Sequence, residues 1–398
     1  MKALLLENIH PEALRVLTER GIEVETTKGA LDERELVEAV GDVDLLGIRS
    51  KTQVTRPVLD AAPRLIGIGA FCIGTNQIDL SGAAERGTVV FNAPFSNTRS
   101  VVELVIAEII AMARHLTDKN ALMHAGVWDK SAKGAHEVRG RTLGIVGYGN
   151  IGSQLSVVAE ALGMRVLFYD VADKLALGNA RRCDSLDELL AEAETVTLHV
   201  DGRAGNAGLF GAEQFAKMRP RSLFLNLCRG IVVDHEALRE HLKSGHIAGA
   251  ALDVFADEPK TAGDPFVSSL QGLPNVILTP HVGGSTEEAQ EDIGRYVAGK
   301  LADFARSGTT AMSVNLPHVQ VEESPGRSRV LHVHHNVPGV LATVNGVLAD
   351  FGVNIEGQTL STRGQLGYAV TDIAGAFSEA VLDKLRSLPE TVRLRVIS

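Results

Sequence analysis

The stretch TLGIVGYGNIG (142–152) indicates the fold of the chain. Its first residues are mostly apolar and predict a buried strand, after which Gly147, Gly149 and Gly152 form a G-x-G-x-x-G turn that opens a helix. Glycines at these places permit a tight turn and let the helix pack closely on the strand. The stretch therefore predicts an α/β fold built on a doubly wound, Rossmann-like parallel sheet.

Strands and helices alternate on both sides of this stretch. Apolar runs that read as strands precede and follow it: VDLLGIRS (43–50), GTVVFNAP (87–94), MRVLFYD (164–170), SLFLNLCRG (222–230) and NVILTPHVGG (275–284). Helical patterns separate most of these runs. Such alternation predicts parallel sheets that are covered by helices on both faces.

Two long helices mark the predicted domain boundaries. Ser100 with Glu103 and Ser285 with Glu288 have the spacing of capping boxes, which predicts helices that begin near Val101 and just after Ser285. Because these helices bracket the glycine-rich block, the chain should cross twice between two domains with a cleft between them. The predicted domains are residues 1–96 with 285–325, residues 97–284, and residues 326–398.

The C-terminal residues follow a different order. Their pattern predicts strand 328–335, helix 339–351, strands 353–361 and 366–374, helix 377–387 and strand 391–397. This βαββαβ order predicts a small ferredoxin-like sheet. Residues 307–327 lack a regular pattern and read as a linker.

Composition excludes several classes of function. The 398 residues are 45% apolar and 22% charged with a net charge of −10, which predicts a soluble protein and argues against binding to nucleic acid or to anionic membranes. Cys72, Cys183 and Cys228 are too far apart for a disulfide framework or a metal site. No segment approaches the ~18 apolar residues of a membrane span, and Glu7 interrupts the N-terminal apolar run too early for a signal peptide. We expect a cytoplasmic protein without a metal.

The glycine-rich turn predicts a nicotinamide dinucleotide as cofactor. A pyrophosphate can lie against the turn, where the N-terminus of the next helix stabilises its charge. Asp170 ends the following strand, and a carboxylate there binds the ribose diol and repels a 2′-phosphate, which favours NAD over NADP. Ordinary turn glycines and a solvated Asp170 are the alternative. The cofactor contacts predicted from the motif are Gly147, Gly149, Asn150, Ile151, Gly152 and Asp170.

Three polar residues at strand ends could support hydride transfer. When a hydride passes to nicotinamide, the substrate hydroxyl must lose its proton to a base, usually a His whose charged form a carboxylate stabilises. His281 fits the base and Glu258 its partner, while Arg229 could bind a substrate carboxylate through two hydrogen bonds. A single His at a strand end is more often structural, but three complementary groups favour catalysis.

These motifs together resemble the NAD-dependent D-2-hydroxyacid dehydrogenases. The resemblance rests on VGYGNIG (146–152), NLCRG (226–230), DVFADEP (253–259) and LTPHVGGST (278–286). It implies that Arg229 binds the carboxylate and carbonyl of the substrate, that His281 is the acid/base and that Glu258 pairs with His281. The resemblance also implies Cys228, Asp253, Gly283 and Gly284 as cofactor contacts, and Arg49, Ser50, Lys51 and Asn97 as substrate contacts.

A narrower resemblance concerns members that act on a phosphorylated 2-hydroxy acid. It rests on FCIGTNQIDL (71–80), FNAPFSNTRSVVELVI (91–106) and GGSTEEAQE (283–291) and extends over essentially the whole chain. It implies NAD-dependent oxidation of 3-phospho-D-glycerate to 3-phosphohydroxypyruvate, the first step of L-serine biosynthesis. It also implies a homodimer or homotetramer, with Trp128 in a subunit contact. The alternatives are another D-2-hydroxyacid dehydrogenase and a dinucleotide-dependent binding protein without enzymatic activity.

Two features depart from the family pattern. Cys228 occupies a position where the family has Ser, Thr or Ala, and a thiol there would be sensitive to oxidants if its pKa were lowered. The loop HVDGRAGNAGLF (199–210) lacks the Pro and Thr that usually follow this strand.

The stretch LHVHHNVPGV (331–340) contains three histidines. On a strand, His332 and His334 point to one face and His335 to the other, and the C-terminal region offers no further Cys or His for a metal site. Together with DFGVNI (350–355) the stretch resembles an amino-acid-binding regulatory module of the ACT type. The resemblance implies L-serine as effector, bound where two modules pair; a structural His with Asn residues in turns is the alternative. The implied effector contacts are His334, Asn336 and Asn354.

Overall fold

A computed structural model describes residues 1–259, 263–324 and 326–397. The chain forms two compact units, Met1–Ser96 with Gln290–Ser398 and Asn97–Ala289. Two parallel sheets and one antiparallel sheet confirm the predicted fold class. Residue 325, the end of a predicted domain segment, lies outside the described residues.

The first unit opens with alternating strands and helices. They are β1 (Lys2–Leu5), α1 (Pro11–Glu19), β2 (Glu23–Thr26), α2 (Glu33–Ala39), β3 (Leu45–Ile48), α3 (Arg56–Asp60), β4 (Gly67–Ala70), α4 (Leu80–Glu85) and β5 (Val89–Asn92). The strands pair in parallel in the order β2-β1-β3-β4-β5. Leu5 and Leu45 pack in a core on one face of this sheet, and Leu4 and Leu46 pack in a second core on the other face. Strands β3, β4 and β5 are therefore buried and largely apolar without alternation, whereas β2 at the edge of the sheet is mostly exposed.

The second unit carries a larger parallel sheet. Its elements are α5 (Thr98–Ala113), α6 (Leu116–His124), β6 (Thr142–Val146), α7 (Asn150–Ala161), β7 (Arg165–Tyr169), β8 (Arg181–Arg182), α8 (Leu186–Glu192), β9 (Thr195–Leu198), α9 (Ala212–Lys217), β10 (Ser222–Asn226), α10 (His235–Lys243), β11 (Ile247–Leu252) and β12 (Val276–Leu278). The strand order is β12-β11-β10-β9-β6-β7-β8. The sheet thus extends from β6 first to one side and then to the other. The glycine-rich turn that follows β6 lies at this topological switch point, where ligands of such sheets bind.

The C-terminal module (residues 327–397) belongs to the first unit and follows a long helix, α11 (Glu287–Ser307). Its elements are β13 (Arg327–His335), α12 (Val340–Asp350), β14 (Ile355–Arg363), β15 (Leu366–Ala374), α13 (Glu379–Arg386) and β16 (Thr391–Ile397). The antiparallel order β14-β15-β13-β16 confirms the predicted ferredoxin-like sheet. Helices α12 and α13 cover one face, and Leu331, Val333 and Tyr368 on the other face join the core of the parallel sheet. The module shares a hydrophobic core with the rest of its unit.

Side chains of the module satisfy the carbonyl groups at the C-terminal end of α11. Arg395 donates to the carbonyl oxygens of Phe304 (2.6 Å) and Ala305 (3.0 Å), and its guanidinium lies 4.6 Å from the centre of the Phe304 ring. Arg329 donates to the carbonyl of Ser307 (2.7 Å). The last carbonyls of a helix have no partner within the helix and carry partial negative charge, which arginine both satisfies and neutralises.

The structure corrects two sequence predictions about α5 and the linker. Helix α5 begins at Thr98 after Asn97, not near Val101, because the hydroxyl of Ser100 pairs with that of Thr286 instead of capping the helix. The predicted linker is not a loose segment. Thr310 and Leu316 within it are fully buried, and Leu316 packs in the core beside α11.

The described part of the chain contains no helix that is long and apolar enough to span a membrane.

Candidate active site

The turn after β6 has the shape that a dinucleotide pyrophosphate requires. Gly147 has φ 93°, and a Cβ there would lie 2.5 Å from the carbonyl oxygen of His199; a Cβ at Gly152 would overlap the carbonyl of Gly147. A Cβ at Gly149 would have no atom of the described residues within 4 Å. Gly149 directly precedes α7, which begins with Asn150 and Ile151. The turn therefore leaves a free cradle at a helix N-terminus, which fits the phosphates of NAD.

Asp170 lies immediately after β7, beside this turn. Its carboxylate accepts hydrogen bonds from the main-chain N–H groups of Tyr148 (2.8 Å) and Ala172 (2.8 Å). These contacts fix the carboxylate at the edge of the cradle, where a ribose diol would donate to it.

His281 and Glu258 form a hydrogen-bonded pair. The Nδ1 atom of His281 lies 2.8 Å from Oε2 of Glu258, and Oε1 of Glu258 accepts the main-chain N–H of Phe255 (3.1 Å). Because a carboxylate only accepts, the neutral imidazole must carry its proton on Nδ1, and Nε2 has no partner in the described part of the chain. His281 therefore presents a basic nitrogen from a side chain that is 50% exposed.

Electrostatics favour the charged form of this pair. The hydrogen bond to Glu258 is the main reason that the pKa of His281 is raised, while burial and the charge of Arg229 act to lower it. Burial acts to raise the pKa of Glu258, but the hydrogen bonds from His281 and Phe255 outweigh it, so the pKa is lowered. The charge of Arg229 acts on both residues, so the three predicted catalytic side chains are near one another.

Gly230 lets the loops that carry Arg229 and Glu258 approach each other. A Cβ at this position would overlap the main chain of Phe255, which contacts Glu258. The loop after β10 and the loop after β11 are therefore packed main chain against main chain. Only a glycine fits there.

Asp253, predicted as a cofactor contact, anchors the loop that carries His281. It is 1% exposed, and its carboxylate accepts hydrogen bonds from the Thr279 hydroxyl (2.6 Å) and from the N–H groups of Val282 (2.8 Å) and Gly283 (2.7 Å). His281 itself has φ 56°, a left-handed conformation that such bonds must hold in place. The contact of Asp253 with the cofactor stays a prediction.

Cys228 does not have the environment of a reactive thiol. Its Sγ atom is 3.1 Å from Oδ1 of Asn226, and the residue is 7% exposed. Burial raises the pKa of the thiol, so the condition for the expected oxidant sensitivity is not met.

Sequence reasoning missed Glu108, a buried carboxyl on α5. Glu108 is 3% exposed, and neither of its carboxyl oxygens has a hydrogen-bond partner among the described residues. Burial, with the charge of Asp253, raises its pKa to about 8. The sequence does contain a signal for its burial: Glu108 has the helical spacing that puts it on the same face of α5 as the apolar residues Val101, Val105 and Met112.

The predicted substrate contacts lie in both units. Arg49, Ser50 and Lys51 follow β3 in the first unit, with Arg49 half-buried and the other two exposed. Asn97 precedes α5 in the second unit, and its side chain occupies the space next to Gly284. Their contacts with a substrate stay predictions.

The histidine cluster lies on β13 as predicted. His332 and His334 are both 2% exposed and their rings are 5.1 Å apart, whereas His335 is exposed. His334 Nδ1 lies 2.9 Å from the carbonyl oxygen of His335, and its buried Nε2 has no partner among the described residues. His332 Nε2 pairs with the Thr391 hydroxyl (2.8 Å), and burial lowers its pKa to about 4.

One chain does not bring the three predicted effector residues together. His334 lies opposite Gly367 on β15, and Asn336 follows β13 at the same end of the sheet. Asn354 precedes β14, whose first residue lies opposite Ile373, six residues further along β15. At about 3.3 Å per residue this is a separation of roughly 20 Å along the strands. No group of three or more His, Cys, Asp and Glu side chains in the described residues could hold a metal ion.

Comparison with known proteins places the chain in a family. The sequence profile of the D-isomer specific 2-hydroxyacid dehydrogenase NAD-binding domain matches residues 106–283, and that of the AHAS small subunit-like ACT domain matches residues 330–393. D-3-phosphoglycerate dehydrogenases of Dictyostelium discoideum and Escherichia coli are each 48% identical to the chain, over 100% of it and 97% of their own length. The chain belongs to the D-3-phosphoglycerate dehydrogenase family. D-3-phosphoglycerate dehydrogenase 1 of Saccharomyces cerevisiae is 47% identical over 98% of the chain and 86% of its own length.

Solved structures agree with the family on the fold. A protein from Thermus thermophilus is 32% identical with a TM-score of 0.69, covering 77% of the chain and 97% of its own length. An NAD-complexed D-isomer specific 2-hydroxyacid dehydrogenase from Lactobacillus delbrueckii ssp. bulgaricus is 24% identical with a TM-score of 0.70. The match covers 79% of the chain and 100% of that protein. This member of the D-3-phosphoglycerate dehydrogenase family is therefore an NAD-dependent oxidoreductase with a C-terminal ACT module.

Proposed function

We propose that the protein oxidises 3-phospho-D-glycerate to 3-phosphohydroxypyruvate with NAD and so begins L-serine biosynthesis. The full-length relatives support the substrate. The observation that carries the reaction is the 2.8 Å contact between His281 and Glu258, next to the charge of Arg229. An imidazole paired with a carboxylate is the base that removal of a hydroxyl proton needs.

Each side chain has a role in this proposal. His281 accepts the proton of the substrate hydroxyl at Nε2, and Glu258 stabilises the imidazolium through Nδ1. Arg229 binds the substrate carboxylate and orients the hydroxyl carbon. Bound NAD supplies the hydride acceptor. The residues that would hold its phosphates are Gly147, Gly149, Asn150, Ile151 and Gly152; Asp170 would hold its ribose, and further contacts would come from Cys228, Asp253, Gly283 and Gly284.

A phosphorylated substrate needs additional polar contacts. Arg49 and Lys51 supply positive charge for the phosphate, and Ser50 and Asn97 supply hydrogen bonds. We accordingly assign residues 1–96 with 285–325 to substrate binding, residues 97–284 to cofactor binding and residues 326–398 to regulation.

L-Serine is the proposed effector of the ACT module. His334, with its unpaired and buried Nε2, and Asn336 form one half of the site. Because Asn354 lies at the far end of the same sheet, a second copy of the chain must supply it. Serine binding thus requires an oligomer, and by linkage serine stabilises the subunit arrangement to which it binds.

We further propose a homodimer or homotetramer in a reducing cytoplasm. Trp128, Val127 and Met123 are 72%, 47% and 52% exposed, and large apolar side chains grouped in this way are typical of subunit contacts. No disulfide joins the cysteines of the described residues, as in proteins of reducing compartments.

Oxidation of NADH driven by 3-phosphohydroxypyruvate, with and without L-serine, tests the proposal. We expect turnover that serine inhibits, and loss of turnover in His281→Ala with NADH binding retained. Turnover that persists in His281→Ala contradicts the role of the base. Turnover with other 2-oxo acids but not with 3-phosphohydroxypyruvate contradicts the proposed substrate, and the absence of turnover with any of them contradicts an enzymatic role.

A further inference from the structure

Glu7 holds the main chain of the loop that carries the proposed substrate contacts. Its carboxylate accepts hydrogen bonds from the N–H groups of Arg49 (3.0 Å), Lys51 (3.0 Å) and Thr52 (2.9 Å). Glu7 is 8% exposed and follows β1, and the loop follows β3, the parallel neighbour of β1. The two segments meet because the carboxyl ends of adjacent parallel strands lie at one edge of the sheet.

These contacts account for most of the main-chain donors of the loop. Three of the four N–H groups from Arg49 to Thr52 go to Glu7, and that of Ser50 has no partner in the described part of the chain. Since only an ionised carboxylate offers two acceptor oxygens without a proton, the arrangement requires a carboxylate. It leaves one N–H of the loop available to a ligand.

The backbone at Glu7 is strained. Glu7 and Asn8 have φ 61° and 52°, the left-handed conformation that asparagine tolerates but glutamate rarely adopts. Hydrogen bonds from their N–H groups to Gly29 and Thr27 hold this turn. Strain of this kind persists where surrounding contacts enforce it, often near functional groups.

Gln77 holds the same loop from its other side. Its Nε2 atom donates to the carbonyl oxygens of Arg49 (2.6 Å) and Gly74 (3.2 Å), and Gln77 is 8% exposed. The main chain at Arg49 is therefore fixed at its N–H by Glu7 and at its carbonyl by Gln77. Two buried polar side chains from separate segments of the chain therefore hold the same residue of the loop.

We propose that Glu7 is a positioning residue for substrate binding. By fixing the main chain at Arg49, Lys51 and Thr52 it sets where the Arg49 and Lys51 side chains and the free Ser50 N–H meet the phosphorylated substrate. This inference rests on the proposed function of the chain. It assigns specificity for the phosphorylated acid to a side chain that does not itself touch the substrate.

The variant Glu7→Gln tests the inference with little change of shape. Its amide has one acceptor oxygen, so the main-chain N–H groups that met the other oxygen face an NH₂ donor. Losing hydrogen bonds to a charged group should raise KM for 3-phosphohydroxypyruvate by about tenfold, with kcat close to that of the unchanged protein. Affinity for NADH, whose predicted contacts all lie in the second unit, should stay unchanged.

Asp44→Asn is the matched control. Asp44 is also 8% exposed in the same unit, and its carboxylate accepts from the Lys2 N–H and from the Arg64 guanidinium, not from the substrate loop. It should lower the melting temperature as Glu7→Gln does while leaving KM unchanged. If Glu7→Gln does not fold, Gln77→Met removes the other support of Arg49 and should raise the same KM.

The outcomes separate the two proposals. A raised KM in Glu7→Gln but not in Asp44→Asn supports the positioning role. An unchanged KM in Glu7→Gln, or an equal rise in the control, overturns it and leaves the proposed enzyme in place. If the unchanged protein neither turns over 3-phosphohydroxypyruvate nor binds 3-phospho-D-glycerate in calorimetry, the proposed function fails and the inference with it.

Discussion

His281 and Glu258 show how one hydrogen bond selects both the basic atom and the pH range of the proposed reaction. With Nδ1 donating to the carboxylate at 2.8 Å, Nε2 is the atom left to accept a proton. Oxidation needs the neutral imidazole, so its rate should rise as pH passes upward through the pKa of His281. That pKa is raised, chiefly by the bond to Glu258.

Replacing Glu258 by Gln should therefore move the pH profile of oxidation to lower pH. Without the carboxylate the imidazolium is less stable, its pKa falls, and the maximal rate drops by roughly 10- to 100-fold. The measurement is kcat/KM for 3-phospho-D-glycerate as a function of pH. Asp257→Asn, one residue away, should leave the profile unchanged; a Glu258→Gln profile that keeps its midpoint would show that another group titrates.

Glu108 should make the stability of the protein depend on pH. Burial and the charge of Asp253 raise its pKa to about 8 in the folded state, above the ~4.3 of an unfolded chain. A raised pKa means that the folded state holds a proton that the unfolded state has released. The contribution of Glu108 to the free energy of unfolding is therefore fully present below about pH 4 and is lost as pH rises toward 8.

Glu108→Gln should remove this loss of stability. We expect its melting temperature to exceed that of the unchanged protein by roughly 4 °C or more near pH 8 and to match it near pH 4. Differential scanning calorimetry at both pH values gives the comparison. Glu103→Gln, at an exposed position on the same helix, is the control; a difference that is the same at both pH values would mean that Glu108 does not titrate there.

The residues that the sequence could and could not predict differ in where their partners lie. Gly147, Asp170, Glu258 and His281 belong to local patterns at strand ends, which a sequence displays directly. Glu7 reaches residues more than forty positions away, and its role exists only once β1 and β3 are neighbours.

At the scale of elements, the ends of helices were the hardest feature to predict. The Ser100–Glu103 spacing matches a capping box, but Glu103 pairs with Arg99 and Ser100 with Thr286, so tertiary contacts override the local signal. The C-terminal end of α11 is satisfied from outside the helix, by Arg395 and Arg329 of the ACT module. Nothing in the sequence of a helix reveals a cap that comes from another segment.

Arg395→Met should destabilise the first unit. It removes two charged hydrogen bonds to the end of α11 and the contact with the Phe304 ring, which together should contribute about 2–3 kcal/mol. The melting temperature should fall by roughly 4–8 °C. Arg386→Met, which breaks only exposed ion pairs within α13, should change it little; equal effects in both variants would contradict the capping role.

At the scale of the whole molecule, the register of the ACT sheet would divide the proposed serine site between two chains. His334 and Asn354 lie near opposite ends of their strands, so each module should carry two half-sites. Such an arrangement makes inhibition depend on assembly. A chain without its partner should bind serine poorly even if it is folded.

Mixing two defective proteins should restore inhibition. His334→Ala and Asn354→Ala should each raise the serine concentration for half-inhibition by at least about tenfold, because each loses hydrogen bonds to a charged ligand. In a mixed pair, one site has both defects and the other has none, so co-assembled protein should regain part of its sensitivity. His335→Ala, on the opposite face, should stay sensitive. Mixed protein as insensitive as its components would place the site within one chain.

The shared core beneath the ACT sheet limits how this architecture can be rearranged. Leu331, Val333 and Tyr368 face the rest of the unit, and the arginines of the module complete a helix that is not part of it. A chain truncated before the module would expose the apolar residues that pack against it and would leave carbonyl groups at the end of α11 without donors. The module should therefore not be transferable on its own to another dehydrogenase. A functional chimera would need the matching C-terminal end of α11 as well, so we expect substitutions on the two sides of this contact to be coupled.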